Sequence, residues 1–262
     1  MNLQAMTVET LENGIHVFTI SNPPANTLNQ AIQNDLLAIA EEVKNNPLIR
    51  VVVFKSANPK IFIAGADLGE MSSGDGKADY AESSKQMQDI FNTLEALPIP
   101  TVAAINGHAL GGGCEFVLAC DFRIMGGGSI GLTEASLGLL PGAGGTQRMT
   151  RLVGGAKARE LMYFSKRLKA EEAEAIGLVT KAVAPEQLDE TVAQFADKLA
   201  QSAIGAIGLI KESILAADGT LEDGLKVERE AFAKTFATGE PAEGMRAFFE
   251  KRPPNFLKQL TT

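Results

Sequence analysis

The sequence predicts an α/β fold, with a core of mostly parallel strands joined by helices and a helical C-terminal region behind it. Three observations carry this. Val51-Val52-Val53-Phe54 and Thr101–Ile105 are short continuous apolar runs, as in strands covered on both faces. Stretches of helical period separate such runs, and a strand–helix–strand repeat implies parallel strands with right-handed crossovers. The last third then reads almost entirely as helix. That shift near residue 200 divides a β-rich core, 1–200, from a helical region, 201–262.

Each element has a local cause. Ile15–Ile20 alternates around His16 as a strand does, and Ser21-Asn22-Pro23-Pro24 breaks it. Gln30–Asn45 repeats Ile32, Leu36, Leu37, Ile39, Ala40 and Val43 at helical spacing. The first buried strand spans residues 50–56, and Ile61-Phe62-Ile63 is a second short run. Residues 72–79, polar with two glycines, read as a mobile loop. Residues 80–97 are helical, with Met87, Ile90, Phe91 and Leu94 on one face, until Pro98 and Pro100 end the helix. After Thr101–Ile105, residues 112–120 read as a helix packed tightly at its start. Residues 157–164, 170–176, 186–202, 206–217, 221–238 and 242–250 complete the helices.

Composition excludes several classes. Hydrophobic residues make up 45% of the 262 and charged residues 21%, which suits a chain with a sizeable core. No apolar run approaches the roughly 18 residues of a membrane span. The net charge of −8 argues against a nucleic-acid partner, which needs a basic footprint. Cys114 and Cys120, six apart, match neither a redox pair nor a zinc set, and read as small buried residues in a reducing compartment. His16 and His108 have no nearby second ligand, so no metal site is expected. No secretory, transit or peroxisomal signal is visible, and the expected location is cytoplasmic.

Gly127-Gly128-Ser129-Ile130-Gly131 spells a nucleophile elbow, but both histidines precede Ser129, so a glycine-rich turn into a short strand is the better reading. Phosphate-loop and dinucleotide signatures are absent.

Twelve of the 26 glycines fall between Gly107 and Gly145. Gly111-Gly112-Gly113 precedes a helix, whose first amides lack internal partners and can bind an oxygen gaining negative charge. A second glycine turn, Ala64-Gly65-Ala66-Asp67, follows a strand and could offer another free amide. Two amides converging on one oxygen would form an oxyanion hole; the alternative is two ordinary tight turns. Glu115 sits in the first turn of the helix among apolar neighbours, and Glu134 precedes the loop 138–145. Two such carboxyls could serve as base and acid, although periodicity does not by itself bring them together.

Together these segments resemble the enoyl-CoA hydratase/isomerase (crotonase) superfamily over almost the whole chain. The carrying residues are Ile63-Ala64-Gly65-Ala66-Asp67-Leu68, Asn106-Gly107-His108-Ala109-Leu110-Gly111-Gly112-Gly113-Cys114-Glu115, and Thr133-Glu134 through Leu140-Pro141-Gly142-Ala143-Gly144-Gly145. The tail from Glu243 to Pro253 is also similar. The resemblance implies a crotonase-like spiral of β-β-α turns in residues 1–200, carrying the coenzyme A and catalytic site. It implies that 201–262 form a trimerisation region, giving a homotrimer or a hexamer made of two trimers.

By the same resemblance, the amides of Ala66 and Gly112 polarise a thioester carbonyl. Glu115 orients and deprotonates water, Glu134 protonates the α-carbon, and backbone at Gly142 helps hold the water. Ala64 and Leu68 match positions lining the adenine pocket. Lys60, and Lys251 from a neighbouring subunit, would face the phosphates. No separate cofactor is implied, because coenzyme A is part of the substrate thioester.

Three departures stand out. The stretch between the glutamates is about one residue short, Leu132-Thr133 replaces Gln-Pro, and Asn26-Thr27-Leu28 replaces Asn-Ala-Leu. The leading expectation is a 2-enoyl-CoA hydratase of fatty-acid or amino-acid breakdown. The alternatives are a Δ3,Δ2-enoyl-CoA isomerase and an RNA-binding or structural relative. Two glutamates favour hydration, and 24 basic against 32 acidic residues disfavour RNA.

Overall fold

The computed structural model describes residues 1–67, 69 and 79–257. Leu68, most of the predicted loop at 72–79, and the last five residues lie outside the described residues.

The chain opens with an antiparallel pair, β1 (Met6–Thr10) and β2 (Ile15–Ile20). β1 is an antiparallel edge strand that the sequence reading does not place. Four of its five residues face solvent, so it carries no apolar signal to read. Next come α1 (Gln30–Asn45), β3 (Val51–Ser56), β4 (Ile61–Ile63) and α2 (Tyr80–Glu95). β5 (Thr101–Ile105), β6 (His108–Leu110), α3 (Gly112–Leu118), β7 (Phe122–Met125) and β8 (Ile130–Gly131) complete the centre. α1 starts where the Asn29 side chain accepts from the Ile32 amide, and α2 starts where Asp79 accepts from Glu82.

The strands form two sheets. The larger has the order β1-β2-β3-β5-β7-β9, where β9 is Lys181–Ala182, and the smaller is β4-β6-β8. Every pairing except β1–β2 is parallel. From β3 onward successive strands go alternately to the large and the small sheet, so each circuit is strand, strand, helix: the expected β-β-α spiral. The three strands of the small sheet all end on the same side. Gly65-Ala66 follows β4, Gly111-Gly112 follows β6, and Glu134 follows β8.

α3 is fixed in depth by its neighbours. Phe116 is fully buried and packs against Phe54, Phe62 and Phe91 at ring separations of 5.1, 6.1 and 5.9 Å. A Cβ on Gly113 would lie 2.2 Å from the Ile63 carbonyl oxygen, so the helix rests directly on the backbone of β4. Gly113→Ala is therefore expected to cost about 3 kcal/mol, read by urea unfolding, because backbone on both sides of the contact would have to move.

The second half adds helices α4 (Gly145–Val153), α5 (Gly155–Tyr163), α6 (Ala170–Ala175) and α7 (Leu188–Ala200). The sequence reading has a loop ending at Gly145 and no helix after it; α4 is hidden there by its polar composition and glycine start. α7 covers the large sheet through Leu188, Val192, Ala196 and Ala200, which pack with Val51, Val53, Val102 and Ile124. α8 (Ile204–Leu215), α9 (Leu221–Thr235) and α10 (Glu240–Phe249) follow. The Arg50 guanidinium donates to the carbonyls of Ala200 and Ser202 at 2.6 and 2.7 Å. Lys211 of α8 pairs with Asp121 at 2.7 Å and is itself buried. Glu240 accepts from the amides of Gly205 and Ala206, each at 2.8 Å, capping α8 from a distant part of the chain.

Candidate active site

Two glycine turns meet at the end of the small sheet. A Cβ placed on Gly112 would lie 3.5 Å from the Ala66 nitrogen, and one on Gly65 would lie 3.8 Å from the Gly112 nitrogen. The two amides thus share one small space. Among the described residues neither donates to a protein acceptor. The Gly65 turn is held in place by its own carbonyl, which accepts from the Leu28 amide at 2.9 Å. The Thr27 hydroxyl donates to Asp67 at 3.2 Å, one residue beyond Ala66. The unusual Thr27 therefore braces the turn that presents the Ala66 amide.

The carboxyls flank this space. Glu115 is 3% exposed, and its Oε1 accepts from the amides of Ala143 and Gly145, each at 2.8 Å. Glu134 is half-buried at the start of a 3₁₀ turn, Glu134–Leu137, with Oε1 3.4 Å from where a Gly111 Cβ would stand. Its Oε2 is buried, and among the described residues it has no hydrogen-bond partner.

Burial pushes the Glu115 carboxyl up to about 7, the Glu134 charge adds to the shift, and the Gly145 and Ala143 amides and Arg148 oppose it. Burial also raises Glu134, against local backbone donors. Two carboxyls that resist ionisation thus lie beside two unpaired amides, an arrangement chemically suited to proton transfer next to an oxygen gaining negative charge.

The other predicted residues are placed as follows. Gly142 is half-buried, and its carbonyl accepts from the Ser84 hydroxyl and the Gln88 amide at 2.6 and 2.8 Å. Ala64 is exposed beside the Gly65 turn, its amide donating to Ala25. Lys60 is exposed at the opposite end of β4 from Ala66, so the structure does not bring it to the amides. Lys251 is exposed just after α10, at φ 54°, within the C-terminal region. Leu68 lies outside the described residues. Among the described residues no group of three or more His, Cys, Asp or Glu could hold a metal ion.

Sequence reasoning missed the parts that hold the loop at 141–145. Arg148 donates through Nε and Nη2 to Glu95 at 3.0 and 2.7 Å and through Nη2 to Asn92 at 2.6 Å. With Ser84 and Gln88 these residues form one polar stripe along α2. The stripe was visible as a spacing of four, four and three residues, but nothing in the sequence named its partner.

Fold and site together define an α/β protein in which two free amides and two buried carboxyls meet at the end of a small parallel sheet. The enoyl-CoA hydratase/isomerase family model matches residues 10–259. A short-chain-enoyl-CoA hydratase from Clostridium acetobutylicum is 38% identical over 247 residues, covering 92% of this chain and 93% of that protein. A crotonyl-CoA hydratase from Syntrophomonas wolfei is 37% identical, covering 95% and 96%. The crystal structure of an enoyl-CoA hydratase from Bacillus anthracis superposes with a TM-score of 0.90 at 37% identity, covering 97% of this chain and 99% of that one. The chain belongs to the enoyl-CoA hydratase/isomerase family.

Among the described residues no single helix is long and apolar enough to cross a membrane.

Proposed function

We propose that this enzyme adds water reversibly across the 2,3 double bond of 2-enoyl-CoA thioesters to give 3-hydroxyacyl-CoA. The observation that carries the reading is the meeting of the Ala66 and Gly112 amides at a space flanked by both Glu115 and Glu134. The thioester oxygen takes the two N–H bonds, which strengthen as enolate charge develops on it. The Glu115 carboxylate removes a proton from water as the oxygen attacks the β-carbon. Glu134 delivers a proton to the α-carbon. One proton enters the pair and one leaves it, so the step balances.

The charge placement has physical support. Two amide donors favour ionised Glu115 and burial favours a neutral Glu134, and because each charge disfavours the other, ionising Glu115 helps Glu134 keep its proton. Substrate covering half-buried Glu134 would dry it further and hold its proton there until transfer. Because the free enzyme needs Glu115 ionised and Glu134 protonated, kcat/KM for crotonyl-CoA is expected to be bell-shaped, falling on the acid side as Glu115, which titrates at about 7, takes up its proton and on the alkaline side as Glu134 loses its own. A flat profile from pH 6 to 8 would remove Glu115 from the base role.

Gly145→Ala tests the same geometry. Its Cβ would lie 2.8 Å from Glu115 Cγ, 2.9 Å from Oε1 and 2.9 Å from Leu132, so Glu115 must shift. Hydration is expected to slow about 100-fold, with the circular dichroism spectrum unchanged.

The direct test is loss of the conjugated-thioester absorbance when the protein meets crotonyl-CoA, followed by a panel of acyl chain lengths. Conversion of 3-enoyl to 2-enoyl thioester without hydration would replace this reading with that of an isomerase.

The same reading has coenzyme A held near Ala64 and Leu68, with Lys60 and a neighbour's Lys251 toward its phosphates. It includes a trimer or a pair of trimers. The support is apolar surface left open on the C-terminal helices: Leu221, Phe232, Phe248 and Phe249 are 80, 68, 78 and 79% exposed. It includes a cytoplasmic location, which suits two buried free thiols.

A further inference from the structure

The two amides that hold Glu115 belong to peptides whose carbonyls are each engaged twice, but by different means. The peptide ending in the Gly145 amide has the Gly144 carbonyl, which accepts from the Gln147 and Arg148 amides at 3.0 and 2.9 Å as α4 begins. That support is backbone. The peptide ending in the Ala143 amide has the Gly142 carbonyl, which accepts from Ser84 Oγ at 2.6 Å and Gln88 Nε2 at 2.8 Å. Gln88 Nε2 also donates to Ser84 Oγ at 3.2 Å, so the two side chains orient each other. Both lie on α2 and reach Glu115 only through this peptide.

We propose that Ser84 and Gln88 are positioning residues for Glu115, acting through the Gly142–Ala143 peptide; this rests on Glu115 being the water-activating base. Donors on a peptide carbonyl do two things. They fix the peptide plane, here aiming the Ala143 N–H at Glu115 Oε1. They also polarise the peptide, making its N–H a stronger donor. A firmer N–H favours the ionised carboxyl. With both donors gone, the peptide beside flexible Gly142 is free to turn, and Glu115 keeps only the Gly145 amide.

The other groups facing Glu115 come from three elements. Glu134 follows β8, Arg148 of α4 is paired with Glu95 of α2, and Cys114 on α3 is held neutral by burial. None of them touches the Gly142 carbonyl, so the two side chains can be varied without altering the local charges.

The test uses Ser84→Ala and Gln88→Met, with Ser84→Thr retaining the hydroxyl and Lys85→Ala as a control on the exposed side of α2. The Glu115 carboxyl is followed by 13C NMR titration, its signal assigned by its loss in Glu115→Gln. The Glu115 midpoint is expected to rise by roughly half to one pH unit in Ser84→Ala and Gln88→Met. In the same variants kcat for crotonyl-CoA should fall about tenfold with KM unchanged. Ser84→Thr and Lys85→Ala should match the parent in both. An unmoved midpoint overturns the proposal even if kcat falls, because that would be a loss of packing alone. If Gln88→Met does not fold, Ser84→Ala decides. The titration does not depend on turnover, so an active Glu115→Gln variant would overturn the catalytic reading, whereas an unmoved midpoint beside an inactive one overturns only this inference.

Discussion

Glu115→Gln and Glu134→Gln are each expected to lose about a thousandfold in crotonyl-CoA hydration while keeping the fold, since general acid–base groups contribute roughly 100- to 10,000-fold. The loss should fall mainly on kcat, because neither carboxyl is needed to hold the thioester carbonyl between the Ala66 and Gly112 amides. The two variants should differ in a second respect. Glu134→Gln removes the donor to the α-carbon, so exchange of the α-proton of 3-hydroxyacyl-CoA with deuterated water should stop. Glu115→Gln leaves that donor in place but lacks the base that activates water. Both are measured by stopped-flow absorbance and by NMR of the thioester. Full activity in either variant would remove the two-carboxyl mechanism.

Glu115→Gln is also expected to be more stable than the parent at pH 8, by about 3 kcal/mol, with the two converging near pH 4. The native Glu115 carboxyl titrates at about 7 against an ordinary value of 4.5, chiefly because it is buried. A raised native value means that the folded state holds a proton the unfolded chain has released. The corresponding stability is fully present below about 4.5 and is lost as pH rises through about 7. At about 1.4 kcal/mol per pH unit, the gap amounts to about 3 kcal/mol by pH 8. The neutral amide has no such loss, and its carbonyl oxygen can take the same Ala143 and Gly145 amides. Urea midpoints at pH 4, 6 and 8 check this, and equal stability of the two proteins at pH 8 would show that Glu115 is better solvated than its burial implies. The cost is the expected companion of a base kept dry for chemistry.

The elements legible in the sequence were those whose burial leaves an apolar pattern. β2, α1 and β5 fall at their predicted bounds, and the long helices differ only at their ends. β1 was hidden because four of its residues face water, and α4 because it begins with glycines and carries a polar surface. Glu115 and the two glycine turns stand out because a carboxyl among apolar residues and glycines before or after regular elements are local signals, whereas the family resemblance is what singled out the amides of Ala66 and Gly112. Ser84 and Gln88 do not stand out, because their partner is a carbonyl 58 and 54 residues away.

The sequence by itself determined the alternation of strand and helix, the glycine turns and the two glutamates, because each depends on residues within one turn or strand of each other. Their meeting was decided only by the tertiary structure. Parallel pairing in the small sheet brings the ends of β4, β6 and β8 to one side, and pairing register is a property of segments far apart in the chain. The raised Glu115 carboxyl is likewise tertiary, because the loop at 141–145 and Leu132 close over it, and no single segment supplies that enclosure.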